Sequence, residues 1–307
     1  MTCPKHMVYG PCAGVTADGG CEVDAALPCP FVDAPTVRWA GPEATAAGAP
    51  AAGWAGPEAS AGAPAAGWAG PHASAAGGHP AGWAGPEASA AGGHPAGWAA
   101  ARPFVLADLP TAPLSRSALL RSADLLADGV DAVLLGDHPG ARVQFPPSYR
   151  ALLLRDRGVA VWAGLNCRDR NRVALEGELA ALADAGAAAV HCVTGDHTAI
   201  GHRPDAAPVF DLDATRLAAL ARAAGLLVSV AESPCAPPAA RRPARLAEKV
   251  RAGAQVCVVN HAGGRSAVAE FVAAGPEIPY GRVVEVIDAL TARFPDVRFG
   301  VTEEPAP

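Results

Sequence analysis

Lysine and asparagine are nearly missing from this 307-residue chain. Two lysines, Lys5 and Lys249, stand against 22 arginines, and the asparagines are Asn166, Asn171 and Asn260. Such skew points to coding pressure against both residue types, so the survivors are enriched where chemistry resists replacement. Arginine does not imitate a compact ammonium charge, and aspartate lacks the amide donor. All three asparagines fall at or just beyond predicted strand ends; turn asparagines and a solvent-facing lysine are the plainer reading of the same residues.

Runs of basic residues are also lacking, and the net charge is −6. That argues against a nucleic-acid or anionic-membrane surface and leaves small neutral or anionic ligands. No segment reaches the length of a membrane span, and the start MTCPKHMVYG lacks a signal peptide's apolar core. A cytoplasmic protein with reduced thiols is the expectation. Nothing in the sequence fixes an oligomeric state.

Three regions are present. Residues 1–33 carry Cys3, Cys12, Cys21 and Cys29 among glycines and prolines, a compact, loop-rich module. Their spacing, C-x8-C-x8-C-x7-C, lacks the C-x2-C pairs of zinc ribbons. Four thiolates in a reducing compartment can still close a zinc site or hold an iron–sulfur cluster; unpaired cysteines at a mobile terminus are the other reading. From 34 to 101 a near-repeat of WAGPEASAAGGHPAG places Trp39, Trp54, Trp68, Trp83 and Trp98 at intervals of 14 or 15. With no apolar face at either structural period and little charge, it reads as a disordered linker, with a Trp-mediated docking strip as the alternative.

Residues 102–307 alternate strand and helix. Strand-like runs occupy 103–109, 131–137, 159–167, 188–196, 226–233, 255–260 and 297–303. Helical patterns occupy 115–128, 148–157, 171–185, 212–224, 239–252, 266–274 and 281–293. This alternation predicts a parallel α/β sheet with right-handed crossovers. Seven strands suggest a (β/α)8 TIM-barrel-like fold with one βα unit eroded near 271–280. An open doubly wound sheet is the alternative, although no Gly-x-Gly-x-x-Gly follows the first strand. The most informative stretch is 161–197, where VWAGLNC, the turn RDRNR, a helix and AAVHCVTGD form a βαβ unit with polar residues at its strand ends, the usual place for a site in such folds. Cys167, Cys192, Cys235 and Cys257 lie in or beside apolar strands and read as buried small hydrophobes.

GLNCRDRNR (164–172), VHCVTGDH (190–197), the Ser233-Pro234 strand end and AEKVRAGAQ (247–255) together resemble the flavin-dependent methylenetetrahydrofolate reductases. The first segment, CPKHMVYGPCAG followed by CEV and Cys29, is similar to a cysteine-rich module fused to or encoded beside some members. The resemblance implies FAD lying across the strand ends, NAD(P)H or a redox partner protein as electron donor, and a folate substrate reduced from 5,10-methylene- to 5-methyltetrahydrofolate.

On that resemblance Asn166, Thr194, Gly195, Asp196 and Lys249 would hold the cofactor, with Asp196 facing the flavin and Lys249 near its phosphates. Asn260 would contact folate, and Asp108 would be the general acid, its pKa raised by burial. The four module cysteines would bind metal. Departures from the family pattern are Gly164 in place of a histidine, Asn166 in place of a threonine, and CAPPAARRPARLA (235–247) where cofactor-holding residues belong. Arg241, Arg242 and Arg245 could bind a pyrophosphate there or form a solvated face. A non-catalytic folate-binding relative and a metal-binding scaffold that recruits a redox partner are the other functional readings.

Overall fold

Six strands and five helices alternate in the computed structural model, which describes residues 3–41, 105–109, 114–127, 129–136, 143–260, 267–268 and 270–271. The order is β1 (Leu106–Asp108), α1 (Arg116–Leu126), β2 (Ala132–Leu135), α2 (Pro147–Arg155), β3 (Val161–Asn166), α3 (Arg172–Asp184), β4 (Ala189–Val193), α4 (Ala214–Ala223), β5 (Val228–Glu232), α5 (Arg242–Arg251) and β6 (Val256–Val259). All neighbours pair in parallel, and the sheet runs β1-β2-β3-β4-β5-β6 without reversal. A doubly wound sheet would show a switch point in that order. Sequential order is that of a barrel wall, so the described part is a six-stranded parallel half-barrel. Residues 267, 268, 270 and 271 are helical, within the helix expected at 266–274. The expected eroded unit at 271–280, the helix at 281–293, the strand at 297–303, and Trp54, Trp68, Trp83 and Trp98 lie outside the described residues.

Three of the five helices start where a side chain replaces a missing backbone partner, while α2 and α5 have proline in the first turn instead. Asn171 accepts from the Ala174 amide at 3.0 Å, Asp213 from those of Thr215 and Arg216 at 3.0 and 3.1 Å, and Ser115 from that of Ala118 at 3.3 Å. Each helix then lays its apolar stripe on the sheet. Leu175, Leu179 and Leu182 of α3 are buried in one cluster with Val161, Ala163 and Leu165 of β3, while Trp162 packs on the opposite face with Ala132, Ala189 and Leu227. Strand residues alternate faces, so this division assigns every strand residue to the helix side or the inner side.

Trp39, expected in the linker, belongs to the folded part. It is buried, its ring centroid lies 5.3 Å from that of Tyr9 in a T-shaped contact, and both join the main core. The N-terminal unit therefore extends to at least Gly41.

Candidate metal centre over the strand ends

The N-terminal unit has little regular structure because its glycines and prolines interrupt pairing. It is tied by isolated antiparallel bridges, Val15 with Cys21 and Gly20 with Pro28, and by turn bonds such as Cys29 N–H to Gly19 O at 2.9 Å. These turns bring Cys3, Cys12, Cys21 and Cys29 around one cavity, whose wall includes Val15, Leu27 and Phe31. None of the four is in a disulfide.

Electrostatics at the cavity are set by two cations. Burial pushes the Cys12 thiol up, and the neighbouring Lys5 ammonium opposes that. Burial likewise raises Cys29, against a hydrogen bond from the Phe31 backbone and the positive charge of Arg242. Lys5 is itself buried and pairs with Glu22; desolvation works against its charge, but Cys12 and Glu22 outweigh it and hold its pKa above the ordinary value. Lys5 thus acts as a charge held beside a thiol, one of the two lysine sites the composition singled out.

The chain's donor set fits a metal held by sulfur, with one qualification of geometry. A zinc ion about 2.3 Å from each sulfur would draw four thiolates to within about 4 Å of one another. Among the described residues no group of three or more Cys, His, Asp or Glu side chains is positioned to hold a metal ion as it stands. All four cysteines line one cavity.

Beneath the module lies a buried charged network that the sequence did not reveal. Arg242, 1% exposed, donates to Ala236 O at 2.9 Å and to the module's Cys12 O at 2.9 Å and Pro11 O at 3.4 Å, and it approaches Glu232 Oε1 at 3.4 Å. Lys249 Nζ donates to Glu232 Oε2 at 2.8 Å and Ala231 O at 2.5 Å. Arg245 bonds Thr215 Oγ1 and lies 3.8 Å from Asp213. Burial opposes the Glu232 charge, yet Lys249, Arg245 and Arg242 together hold its carboxyl below the usual range. Further contacts clamp the module: Arg241 to Asp33 O at 2.9 Å, Trp39 N–H to Glu248 Oε2 at 2.5 Å, and His6 Nδ1 to Phe210 O at 3.1 Å. The sequence offered a pyrophosphate site or a solvated face for Arg241, Arg242 and Arg245. Arg242 and Arg245 are neither exposed nor aimed at open space; they are internal partners of carboxylates and carbonyls.

The residues expected to surround one flavin are distributed as follows. Asn166 is buried on the inner side and its Oδ1 accepts from the amides of Arg168 at 2.9 Å and Asp169 at 3.3 Å, closing the RDRNR turn. Thr194 accepts from the Ala214 amide at 3.1 Å. Gly195 has φ +90°, and a Cβ there would meet Arg168 Cβ and Asn166 Cβ at 3.2 Å, so this turn packs directly on the end of β3. Asp196 lies within electrostatic reach of Lys5. Lys249 sits on the helix side, bonded to Glu232. Asn260 is exposed, its amide donating to Glu232 O at 2.9 Å. Asp108, at the end of β1, has its carboxyl raised by burial, the direction a general acid needs. Lys249 and Asn166 thus occupy opposite faces of the sheet. What the structure does gather is Lys5, Glu22 and Asp196 with the cysteine loop. Of the other cysteines, Cys167 and Cys192 are buried and Cys257 is half-buried, whereas Cys235 is exposed, contrary to expectation.

A family model described as Methylene-tetrahydrofolate reductase C terminal matches residues 1–40, the cysteine module. No curated protein matches the chain. Among solved structures, it is similar to 2,3-dimethylmalate lyase, a PEP mutase/isocitrate lyase superfamily member, at 14% identity and TM-score 0.42, covering 58% of this chain and 64% of that one. It is also similar to oxaloacetate acetylhydrolase with bound 3,3-difluorooxalacetate (12%, TM-score 0.42, 61% and 72%) and to a putative phosphonomutase from Burkholderia cenocepacia J2315 (17%, TM-score 0.41, 61% and 85%). The chain spans less than two thirds of the length of the dimethylmalate lyase. The reading as a flavoprotein oxidoreductase acting on methylenetetrahydrofolate, catalytic or as a partner subunit, is corrected, because Lys249 and Asn166, both expected on one flavin, occupy opposite faces of the sheet; the similar solved structures are named as a lyase, a hydrolase and a mutase. At such TM-scores the activities in those titles do not pass to this chain.

Proposed function

We propose that the N-terminal module is a four-thiolate metal centre, an iron–sulfur cluster on Cys3, Cys12, Cys21 and Cys29, and that the half-barrel is the platform that holds it. The supporting observation is the cavity ringed by all four cysteines, none in a disulfide. Bound there, a cluster supplies one-electron exchange, with a redox protein as partner. The chain's own residues do the rest. Lys5 and Arg242 place positive charge near Cys12 and Cys29, offsetting the negative charge that four thiolates accumulate. Val15, Leu27 and Phe31 limit water at the sulfurs, and Arg242 ties the Cys12 loop to β5.

The test is anaerobic purification followed by iron, sulfide and zinc analysis with visible and electron-paramagnetic-resonance spectra. About four iron and four sulfide per chain, lost in Cys12→Ser and Cys21→Ser, is the expected result. Stoichiometric zinc without sulfide would overturn the cluster and keep the thiolate site. No metal after reconstitution would overturn both.

A further inference from the structure

The near-repeat opens with the unit whose placement the structure shows. Trp39 is buried against Tyr9, its backbone N–H donates to the buried Glu248 carboxylate, and Arg216 stands over the Tyr9 ring, 6.0 Å from its centroid. Gly41, two residues on, has φ +106°, a conformation that L side chains rarely adopt. Arg38 and Ala40 on either side of the tryptophan are exposed. Seating this unit therefore requires a tryptophan, its own N–H, and a glycine two residues later. Neighbouring side chains are not read.

Trp-Ala-Gly-Pro recurs beginning at Trp54, Trp68 and Trp83, whereas Trp98 is followed by Ala-Ala. We propose that the groove formed by Tyr9 and Glu248 is a receptor for the chain's own Trp-Ala-Gly-Pro units, and that the copies at Trp54, Trp68 and Trp83 exchange with Trp39 in it. Each copy carries every feature that the docked one uses. The residue before each is glycine where Arg38 stands, and Arg38 is exposed, so the change costs no contact. Trp98 lacks the glycine and is excluded.

Exchange within one chain follows from tether length. The competing copies begin 15, 29 and 44 residues after Trp39, and a unit joined to its groove through so few residues meets it at an effective concentration far above that of a free peptide. Trp39, on the shortest tether, is the main occupant, and the others are its replacements. The consequence is a module whose last clamp on α5 is redundant. This inference does not depend on the metal bound by the cysteines.

The experiment uses the full chain and a labelled peptide, Gly-Trp-Ala-Gly-Pro-Glu-Ala, read by fluorescence anisotropy. Four proteins are compared: wild type, W39A, the triple variant W54A/W68A/W83A, and the quadruple variant lacking all four tryptophans. The quadruple variant is expected to bind the peptide saturably, and the wild type and the triple variant about tenfold or more weakly, because a tethered unit fills their groove. W39A is expected to resemble the wild type. If W39A binds the peptide as strongly as the quadruple variant, or if the quadruple variant is folded and does not bind, the proposal is overturned. Thermal unfolding covers a quadruple variant that does not fold: a folded W39A beside it shows rescue by the other copies and supports exchange, while an unfolded W39A overturns it. A concentration-dependent doubling of W39A's mass would assign the replacement unit to a second chain and overturn exchange within one.

Discussion

His191 shows how much a single enclosed side chain can set the protein's response to acid. It lies on β4 opposite Ser229 of β5, with its Nδ1 2.9 Å from the serine hydroxyl. Burial, with the nearby Lys249 charge, pushes its pKa down to about 4 from 6.5. Above 6.5 the ring is neutral both folded and unfolded, and pH changes nothing through it. As pH falls from 6.5 towards 4, the unfolded chain takes up the proton first, so stability is lost across that window, by as much as about 3 kcal/mol. His191→Gln keeps a partner for Ser229 and does not titrate. Its urea-unfolding free energy is expected to vary less with pH between 6.5 and 4 than that of the wild type; an unchanged slope would remove His191 as the cause. Gly195 makes a steric counterpart. Its φ of +90° and the 3.2 Å approach to two Cβ atoms put Gly195→Ala at a cost of about 1–3 kcal/mol in the same assay.

At the level of elements, what was legible in the sequence followed the backbone's needs. Alternating strand and helix runs gave the parallel sheet, and the helix beginning near Asn171 gave α3, because hydrophobic period and capping chemistry are local. Asn171 proves to be the cap itself, so Asn171→Ala is expected to cost about 1 kcal/mol by thermal unfolding, with the sheet intact. The helix α5 was misread for a physical reason. Arg242 and Arg245 look like a solvated face in one dimension, and Lys249 like a solvent-facing lysine, since charge implies exposure unless partners are known. Their partners, Glu232, Asp213 and the module's carbonyls, come from residues remote in sequence. The same blindness made Lys249 and Asn166 look like members of one site, when strand parity and the Lys249–Glu232 pair put them on opposite faces. Glu232 is the test of this network. Its carboxyl is held below the ordinary range, so its contribution is complete above that range and fades as pH falls through the lowered value. Glu232→Gln leaves Arg242 and Lys249 without their carboxylate and is expected to cost roughly 3–5 kcal/mol at neutral pH, with a flatter acid limb in the pH profile of stability.

On the scale of the whole molecule, the cysteine module and the half-barrel are joined by polar clamps around one guanidinium. Arg242 holds the carbonyls of Pro11 and Cys12 from one side and approaches Glu232 from the other, so the Cys12 loop and β5 share a single side chain. Arginine suits this place because its planar fork serves several acceptors at once. Arg242→Met keeps much of the volume, removes every donor, and leaves the Cys12 carbonyl without that bond. Two effects are expected together. Global stability falls by roughly 3–5 kcal/mol, as when one partner of a buried ion pair is removed. Amide hydrogen exchange in residues 10–14 rises by more than in β3 and β4, because the loop loses its tie while the distant sheet keeps its hydrogen-bonded ladder. If exchange instead rises equally in the loop and in β3, Arg242 supports the fold as a whole rather than joining two parts of it. Metal loading then adds a check on the direction of coupling: a ligand that binds the folded module alone stabilises it by mass action. Iron and sulfide reconstitution is therefore expected to slow exchange in residues 10–14 of the wild type and to restore part of that protection in Arg242→Met. The cysteines and the guanidinium hold the same loop from opposite sides.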